Sequence, residues 1–377
     1  MQKNILVRSL AALSGIVMLA SVAACGDNTA STNTNSSSTD SSSKSTPISG
    51  DFQGAGATSQ QAAVEAWIAG FQGTNPDAKI AYNPTGSGAG VTTFLTGATA
   101  WAGSDKALSD DDIAKSKSVC ASGQAFDVPV YISPIAIVFN LKGVSDAGKH
   151  VNLDAATAAK IFDGKITTWN DPAIQDQNKD LKLPATPITV VHRSDKSGTT
   201  QNFVSYFKDQ APDAWTYDLS ENWPNEVGQG AKGTSGVIST VKQADGTIGY
   251  ADFSQVGDLG TAAIKVGDKY NEISAEAGSK VIEDSKLDDT AKGENRVVVK
   301  INHATEADGA YPIVLVSYDI VCPAYKDAKQ GEFAKAWLTY VTSAEGQKAA
   351  QDAAGSAPLP SSLTSQITKS IEAIKTK

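Results

Sequence analysis

Apolar and polar positions change period repeatedly along this chain, and the changes predict a mixed α/β architecture. Asp127–Phe139 is almost continuously apolar, with Val128, Val130, Tyr131, Ile132, Ile135, Ile137 and Val138 set around Pro129 and Pro134. A short run of this kind, rich in β-branched residues, predicts a buried strand. Tyr311–Val321 predicts a second one. Helical spacing appears at Ala63, Trp67 and Phe71, at Val91, Phe94 and Leu95, at Phe203 and Phe207, and at Phe333, Trp337, Tyr340 and Val341 within a helix expected over Glu332–Ala350. Strand-like and helical stretches alternate from residue 51 onward, as in an α/β fold. The two apolar strands enter and leave a middle block, which predicts a hinge between two lobes. Lobe I is expected over 51–134 and 313–377, and lobe II over 135–312. No internal repeat is visible.

The first 50 residues read differently. Lys3 and Arg8 precede the apolar run Leu10–Ala24, a secretory signal too short to span a bilayer. Val22-Ala23-Ala24-Cys25 resembles the lipobox of bacterial lipoproteins, so residues 1–24 are expected to be removed and Cys25 lipidated. An ordinary signal peptide with a chance cysteine is the alternative. From Asn28 to Thr46, 13 of 19 residues are Ser or Thr with no large apolar residue, so residues 25–50 are expected to be a flexible tether. The protein is then held at the extracytoplasmic face of the cell membrane by its lipid alone.

Composition narrows the chemistry. Lys+Arg 32 against Asp+Glu 41 gives −9, and removing Lys3 and Arg8 leaves 30 − 41 = −11. Such a surface argues against nucleic acid and against polybasic membrane docking. Beyond Cys25 only Cys120 and Cys322 remain. In an oxidising compartment that even pair implies one disulfide, with two buried thiols as the alternative. His150, His192 and His303 are scattered, and no Cys/His spacing supports a metal site.

The most informative stretch is His192-Arg193-Ser194-Asp195-Lys196-Ser197-Gly198-Thr199-Thr200-Gln201. A β-prone run, 187–191, leads through it into a helical pattern. A helix start carries unpaired N–H groups and the positive end of the macrodipole, so Ser197, Gly198 and Thr199 offer N–H and O–H donors together. Arg193 adds a planar charged fork for two oxygens of a tetrahedral oxyanion, and Asp195 is placed to brace it. Gly54-Ala55-Gly56-Ala57-Thr58-Ser59 and Thr85-Gly86-Ser87-Gly88-Ala89-Gly90 repeat the glycine-and-hydroxyl pattern before two further helices. One such cluster is more simply a helix cap. Three, with an arginine, predict an anion site.

Competing motifs are weaker. Gly228-Gln229-Gly230-Ala231-Lys232-Gly233 fits G-x-G-x-x-G, but Glu221–Val227 before it is no apolar strand. Lys196-Ser197-Gly198 is similar to the K-T-G box of serine acyltransferases, yet Ser205-x-x-Lys208 and Ser239-x-x-Lys242 follow it and no S-D-N occurs. Ser197, His192 and Asp195 are too close along one strand and turn to converge as a triad. No catalytic apparatus and no cofactor is expected.

Together these segments resemble the phosphate-binding lipoproteins of bacterial ABC-type phosphate importers, which have the type II periplasmic-binding-protein fold. The likeness covers nearly all of 51–360 and includes Ile161-Phe-Asp-Gly-Lys-Ile-Thr-Thr-Trp-Asn-Asp-Pro-Ala-Ile174, Gly246-Thr-Ile-Gly-Tyr250 and Ala357-Pro-Leu-Pro360. It implies ligand donors at Thr58 and the backbone after it, at Ser59, Ser87, Arg193, Ser197, Gly198 and Thr199. It also implies a buried acidic ligand at Asp105, within Ala102-Gly-Ser-Asp-Lys-Ala-Leu108; by itself Asp105 reads as a cap or turn residue. Ser59 departs from the family, where a larger apolar residue is frequent, which matters little if the backbone N–H makes the contact. A carboxylate beside an oxyanion repels it unless the ligand keeps a proton to donate, as phosphate does near neutral pH and sulfate does not. The resemblance therefore implies a monomeric receptor for inorganic phosphate that delivers to a membrane permease. A sulfate or molybdate receptor of the same fold and a secreted ester hydrolase are the alternatives.

Overall fold

The computed structural model describes residues 47–376. The signal segment, Cys25 and the tether up to residue 46 lie outside the described residues. Ile48 is already tied in, its N–H donating to Asn75 Oδ1.

The order opens with β1 (Gly50–Gly56), α1 (Gln61–Thr74), β2 (Ala78–Asn83), α2 (Ser87–Phe94), β3 (Trp101–Ser104), α3 (Asp110–Ser116) and β4 (Phe126–Asn140). There follow β5 (Val151–Leu153), α4 (Ala155–Phe162), α5 (Pro172–Gln175), β6 (Thr189–Arg193), α6 (Gly198–Gln210), β7 (Gln229–Ala231), α7 (Gly233–Gln243) and β8 (Thr247–Asp252). Next come β9 (Gly260–Val266), β10 (Lys269–Asn271), α8 (Ala275–Glu283), β11 (Lys286–Leu287) and β12 (Val299–Lys300). The chain closes with β13 (Val314–Val321), α9 (Ala328–Val341), α10 (Ala344–Ala354) and α11 (Ser361–Glu372).

The main sheet runs β2-β1-β3-β13-β4-β8-β6-β7, with β9 also on β4 and with β5 and β10 on β9. Strands near each end of this order pair in parallel, β1 with β2 and β3 and β6 with β7 and β8. Helical crossovers make that possible, and they cover the strand faces. The two predicted apolar strands are β4 and β13, which pair antiparallel from Val314↔Pro134 to Val321↔Phe126. β4 then changes partner, and Ile135–Asn140 pair with Asp252–Thr247 of β8. Its prolines sit where a missing N–H does least harm. Pro129 opposes Tyr318 beside a register shift at Ser317/Tyr318, and Pro134 stands at the change of partner.

Those strands join two aromatic cores. One contains Phe52, Trp67, Phe71, Trp101, Phe126, Phe333 and Trp337; the other contains Phe139, Phe162, Trp169, Phe203, Phe207, Trp215 and Tyr250. β4 supplies Phe126, Val128, Val130 and Tyr131 to the first and Ile135, Ile137 and Phe139 to the second, while Tyr311 and Ile313, just before β13, belong to the second and Val321 to the first. This is the type II periplasmic-binding-protein arrangement of two lobes with two hinge strands. Cys120 and Cys322 are disulfide-bonded in a satellite core with Val91, Phe94 and Ala102.

One expected helix divides. Glu332–Ala350 spans the end of α9 and most of α10, with a break at Thr342–Ser343. Thr342 Oγ1 turns back to the Leu338 carbonyl, and the Ser343 hydroxyl accepts from Gly346 N–H as a new N-cap.

Candidate functional site

Three helix starts converge on one acidic residue. Asp105 follows β3 and is 2% exposed. Its Oδ1 accepts from Ser59 at 2.7 Å and from Ser317 at 2.7 Å, and its Oδ2 from Ser59 at 2.6 Å and Thr199 at 2.8 Å. Its N–H donates to Ser87 Oγ at 3.2 Å, and its carbonyl accepts from Asn202 Nδ2 at 2.6 Å. Burial pushes the Asp105 carboxyl up, while the hydroxyls of Ser59, Ser317 and Thr199 and the charge of Arg193 pull against it. Each hydroxyl spends its single hydrogen on the carboxylate. Backbone N–H groups of the first helical turns that neither a cap nor a neighbouring segment takes up are further donors for a ligand.

Glycine makes this approach possible. A Cβ on Gly198 would stand 2.9 Å from both the Asp105 Cβ and the Lys106 nitrogen, so only glycine lets α6 abut the Asp105 turn. Ser197 is the N-cap of α6, its hydroxyl accepting from Thr200 N–H. At the start of α2, Gly86 takes φ +98, and a Cβ there would lie 2.5 Å from Asp195 Oδ2 and 3.6 Å from Arg193 Nη2.

Arg193 ends β6 and is 3% exposed. Its Nε and Nη2 donate to the two Asp195 oxygens at 2.7 and 2.5 Å. That uses two of the five guanidinium donors and leaves a fixed cation with three. Burial would raise the Asp195 carboxyl, but Arg193 and the Gly233 N–H, which donates to Asp195 Oδ1 at 2.9 Å, hold it below the usual range. Thr58 completes a ring, its Oγ1 lying 2.8 Å from Thr234 Oγ1 and accepting from Thr234 N–H at 3.1 Å.

All eight expected ligand residues, Thr58, Ser59, Ser87, Asp105, Arg193, Ser197, Gly198 and Thr199, thus fall in one connected cluster, with Asp195 as the brace. Contacts between the N-terminal segments and the middle block surround it: Lys106 pairs with Glu221 at 3.3 Å, and Gly88 N–H donates to the Lys196 carbonyl at 3.4 Å. The residues of the discarded triad are engaged elsewhere. His192 Nδ1 bonds the Arg193 carbonyl and its ring stacks on Trp223.

Four participants were not anticipated: Ser317, Gln60, Gly233 and Thr234. Ser317 carries a visible signal, a serine inside the largely apolar run of β13. Gly233 and Thr234 end and follow the G-x-G-x-x-G motif, in which β7 lies within the glycine pattern rather than before it.

A tetrahedral, multiply charged oxyanion suits this geometry, since donors converge from helix starts on different segments around one cation. A carboxylate beside an oxyanion repels it unless the ion presents a hydrogen. Among the described residues no group of three or more His, Cys, Asp or Glu is placed to hold a metal, and no helix is long and apolar enough to cross a membrane.

Known proteins resemble this chain over most of its length. A family model described as a PBP superfamily domain matches residues 41–345. The chain is 38% identical over 330 residues to the phosphate-binding protein PstS 2 of Mycobacterium tuberculosis, covering 86% of this chain and 87% of that one. It is 36% identical over 361 residues to the phosphate-binding protein PstS 3 of Mycobacterium leprae, covering 94% and 95%. Among solved structures, the high-affinity periplasmic phosphate-binding protein PfluDING with bound phosphate superposes with a TM-score of 0.67 at 22% identity, over 85% of this chain and 92% of that one. At that identity the likeness speaks for the fold.

Proposed function

The chain belongs to the PBP superfamily, alongside the phosphate-binding proteins it resembles, and on that premise we propose that it is the extracytoplasmic inorganic phosphate receptor of an ABC phosphate importer. The observation that carries the reading is the buried carboxylate of Asp105, set among hydroxyl donors from the starts of α1 and α6 and from β13, and near the braced guanidinium of Arg193. Phosphate is held between the lobes by Arg193, by the Ser197, Gly198 and Thr199 start of α6, by Ser87, and by Thr58 and Ser59 with their backbone. Asp105 accepts the ligand's proton.

On this reading lobe I comprises 51–134 and 313–377 and lobe II 135–312, so that the ligand bridges Asp105 of one and Arg193 of the other. Closing the lobes around phosphate makes the shape that a membrane permease accepts. The protein acts as a monomer, anchored outside the cell membrane through a lipid on Cys25 after removal of 1–24, with 25–50 as the tether. Equilibrium dialysis of ligand-stripped protein against labelled phosphate tests the reading: one phosphate per chain is expected, displaced by arsenate. Absence of saturable phosphate binding overturns it.

A further inference from the structure

Behind Asp105 runs a chain of hydrogen bonds whose direction is set by chemistry alone. Gln60, the N-cap residue of α1, is fully buried, and its Nε2 donates to the Tyr318 carbonyl at 3.0 Å and to Ser317 Oγ at 2.8 Å. A carbonyl only accepts, so the Tyr318 oxygen dictates which face of the Gln60 amide is the NH2. An amide NH2 only donates, so Ser317 Oγ must accept from it. The one hydrogen of Ser317 then goes to Asp105 Oδ1, at 2.7 Å. The shift of register between Ser317 and Tyr318 occurs where one amide meets a side-chain oxygen and the next residue's carbonyl together. Gly103 leaves the room: a Cβ there would stand 2.3 Å from Gln60 Oε1.

We propose that Gln60 and Ser317 are positioning residues that lock Asp105 as a hydrogen-bond acceptor, so that the hinge strand β13 helps set the demand for a protonated oxyanion. The inference rests on the phosphate-receptor reading and deepens it. Neither residue touches the ligand. Ser59 and Thr199 can turn their hydroxyls toward a ligand oxygen, because nothing comparable fixes them, whereas Ser317 cannot turn away.

The sign of the effect follows. Losing the Ser317 donor destabilises the ionised carboxylate, so Asp105 takes up a proton at higher pH. A protonated Asp105 loses the charge-assisted bond from hydrogen phosphate, keeping only a neutral acceptor, and gains a hydrogen that it can donate to sulfate. Phosphate and sulfate affinities are therefore to be measured by calorimetry from pH 5 to 8 for the wild type, Ser317→Ala, Gln60→Met and Ser317→Thr, with melting curves for each. Ser317→Ala should lower the phosphate-to-sulfate ratio about tenfold at pH 7, the worth of one hydrogen bond to a charge, and move its acid limb up by about one pH unit. Gln60→Met, which keeps the volume but frees the Ser317 hydroxyl, should shift both in the same direction by less. Ser317→Thr, which keeps the hydroxyl, should restore the wild-type profile. A folded Ser317→Ala protein with the wild-type ratio and pH profile overturns the relay, and so does a folded Gln60→Met protein indistinguishable from wild type. Should Gln60→Met fail to fold, Ser317→Ala, which deletes one oxygen, decides alone. A wild type that does not prefer phosphate overturns the underlying reading instead.

Discussion

Removing the Arg193 guanidinium should damage binding more than any other single change in the cluster. The side chain is 3% exposed, and its orientation is fixed by two bonds to Asp195 at 2.7 and 2.5 Å, so it meets the ligand already ordered and desolvated. Hydrogen bonds to charged groups contribute roughly 1.5–3 kcal/mol each, and a fork makes two, giving about 3–6 kcal/mol. Truncation also strands Asp195 as an unpaired carboxylate beside an anion site. Arg193→Ala should therefore raise the phosphate Kd by about two to four orders of magnitude. Arg193→Lys, which keeps the charge and loses the fork, should fall between. Adding Asp195→Asn to Arg193→Ala should recover part of the loss, since it removes the stranded charge. Calorimetry on ligand-stripped proteins, with melting curves to establish folding, gives all three numbers. A folded Arg193→Ala protein whose Kd lies within about threefold of wild type refutes the assignment, because a factor of three is under 1 kcal/mol.

Asp105→Asn should narrow the gap between phosphate and sulfate, because an amide can donate to a fully deprotonated anion; an unchanged ratio in calorimetry moves the selectivity elsewhere. Asp252 and Asp319 are buried, and burial pushes both carboxyls up to about 7. Their folded values exceed the unfolded one, so their contribution is complete below about pH 4 and is lost as pH rises through 7, at most roughly 4 kcal/mol each. The melting temperature should accordingly rise from pH 8 to pH 5, and Asp319→Asn should flatten that slope; a steeper slope in the variant contradicts the assignment. Reducing Cys120–Cys322, separated by 202 residues, should lower the melting temperature, with up to about 5 kcal/mol available from loop entropy. Phosphate affinity should stay nearly constant, and a large loss on reduction would mean that the bond governs the site.

The helix starts and the two long strands were legible because each is a local pattern. Glycines and hydroxyls before an apolar helical face mark α1, α2 and α6, and dense β-branched runs mark β4 and β13. Arg193 and Asp195 sit two residues apart, so their pairing was visible as well. What stayed hidden depends on contacts between distant segments. Ser317 reaches Asp105 across 212 positions and Gln60 reaches Ser317 across 257, and no periodicity encodes either. The break at Thr342–Ser343 was missed because the apolar stripe of α9 runs into α10, whereas the Thr-Ser pair that divides them was the available sign. Gly233 was set aside with its motif because the strand was sought before the glycines rather than among them.

The central claim is that Asp105, held as an acceptor among donors, makes this a receptor for an oxyanion that carries a hydrogen. Paired titrations of the ligand-stripped wild type with phosphate and with sulfate at neutral pH test it most directly. The account predicts one phosphate per chain and sulfate at least about a thousandfold weaker, roughly 4 kcal/mol. Comparable affinities for the two anions would contradict it.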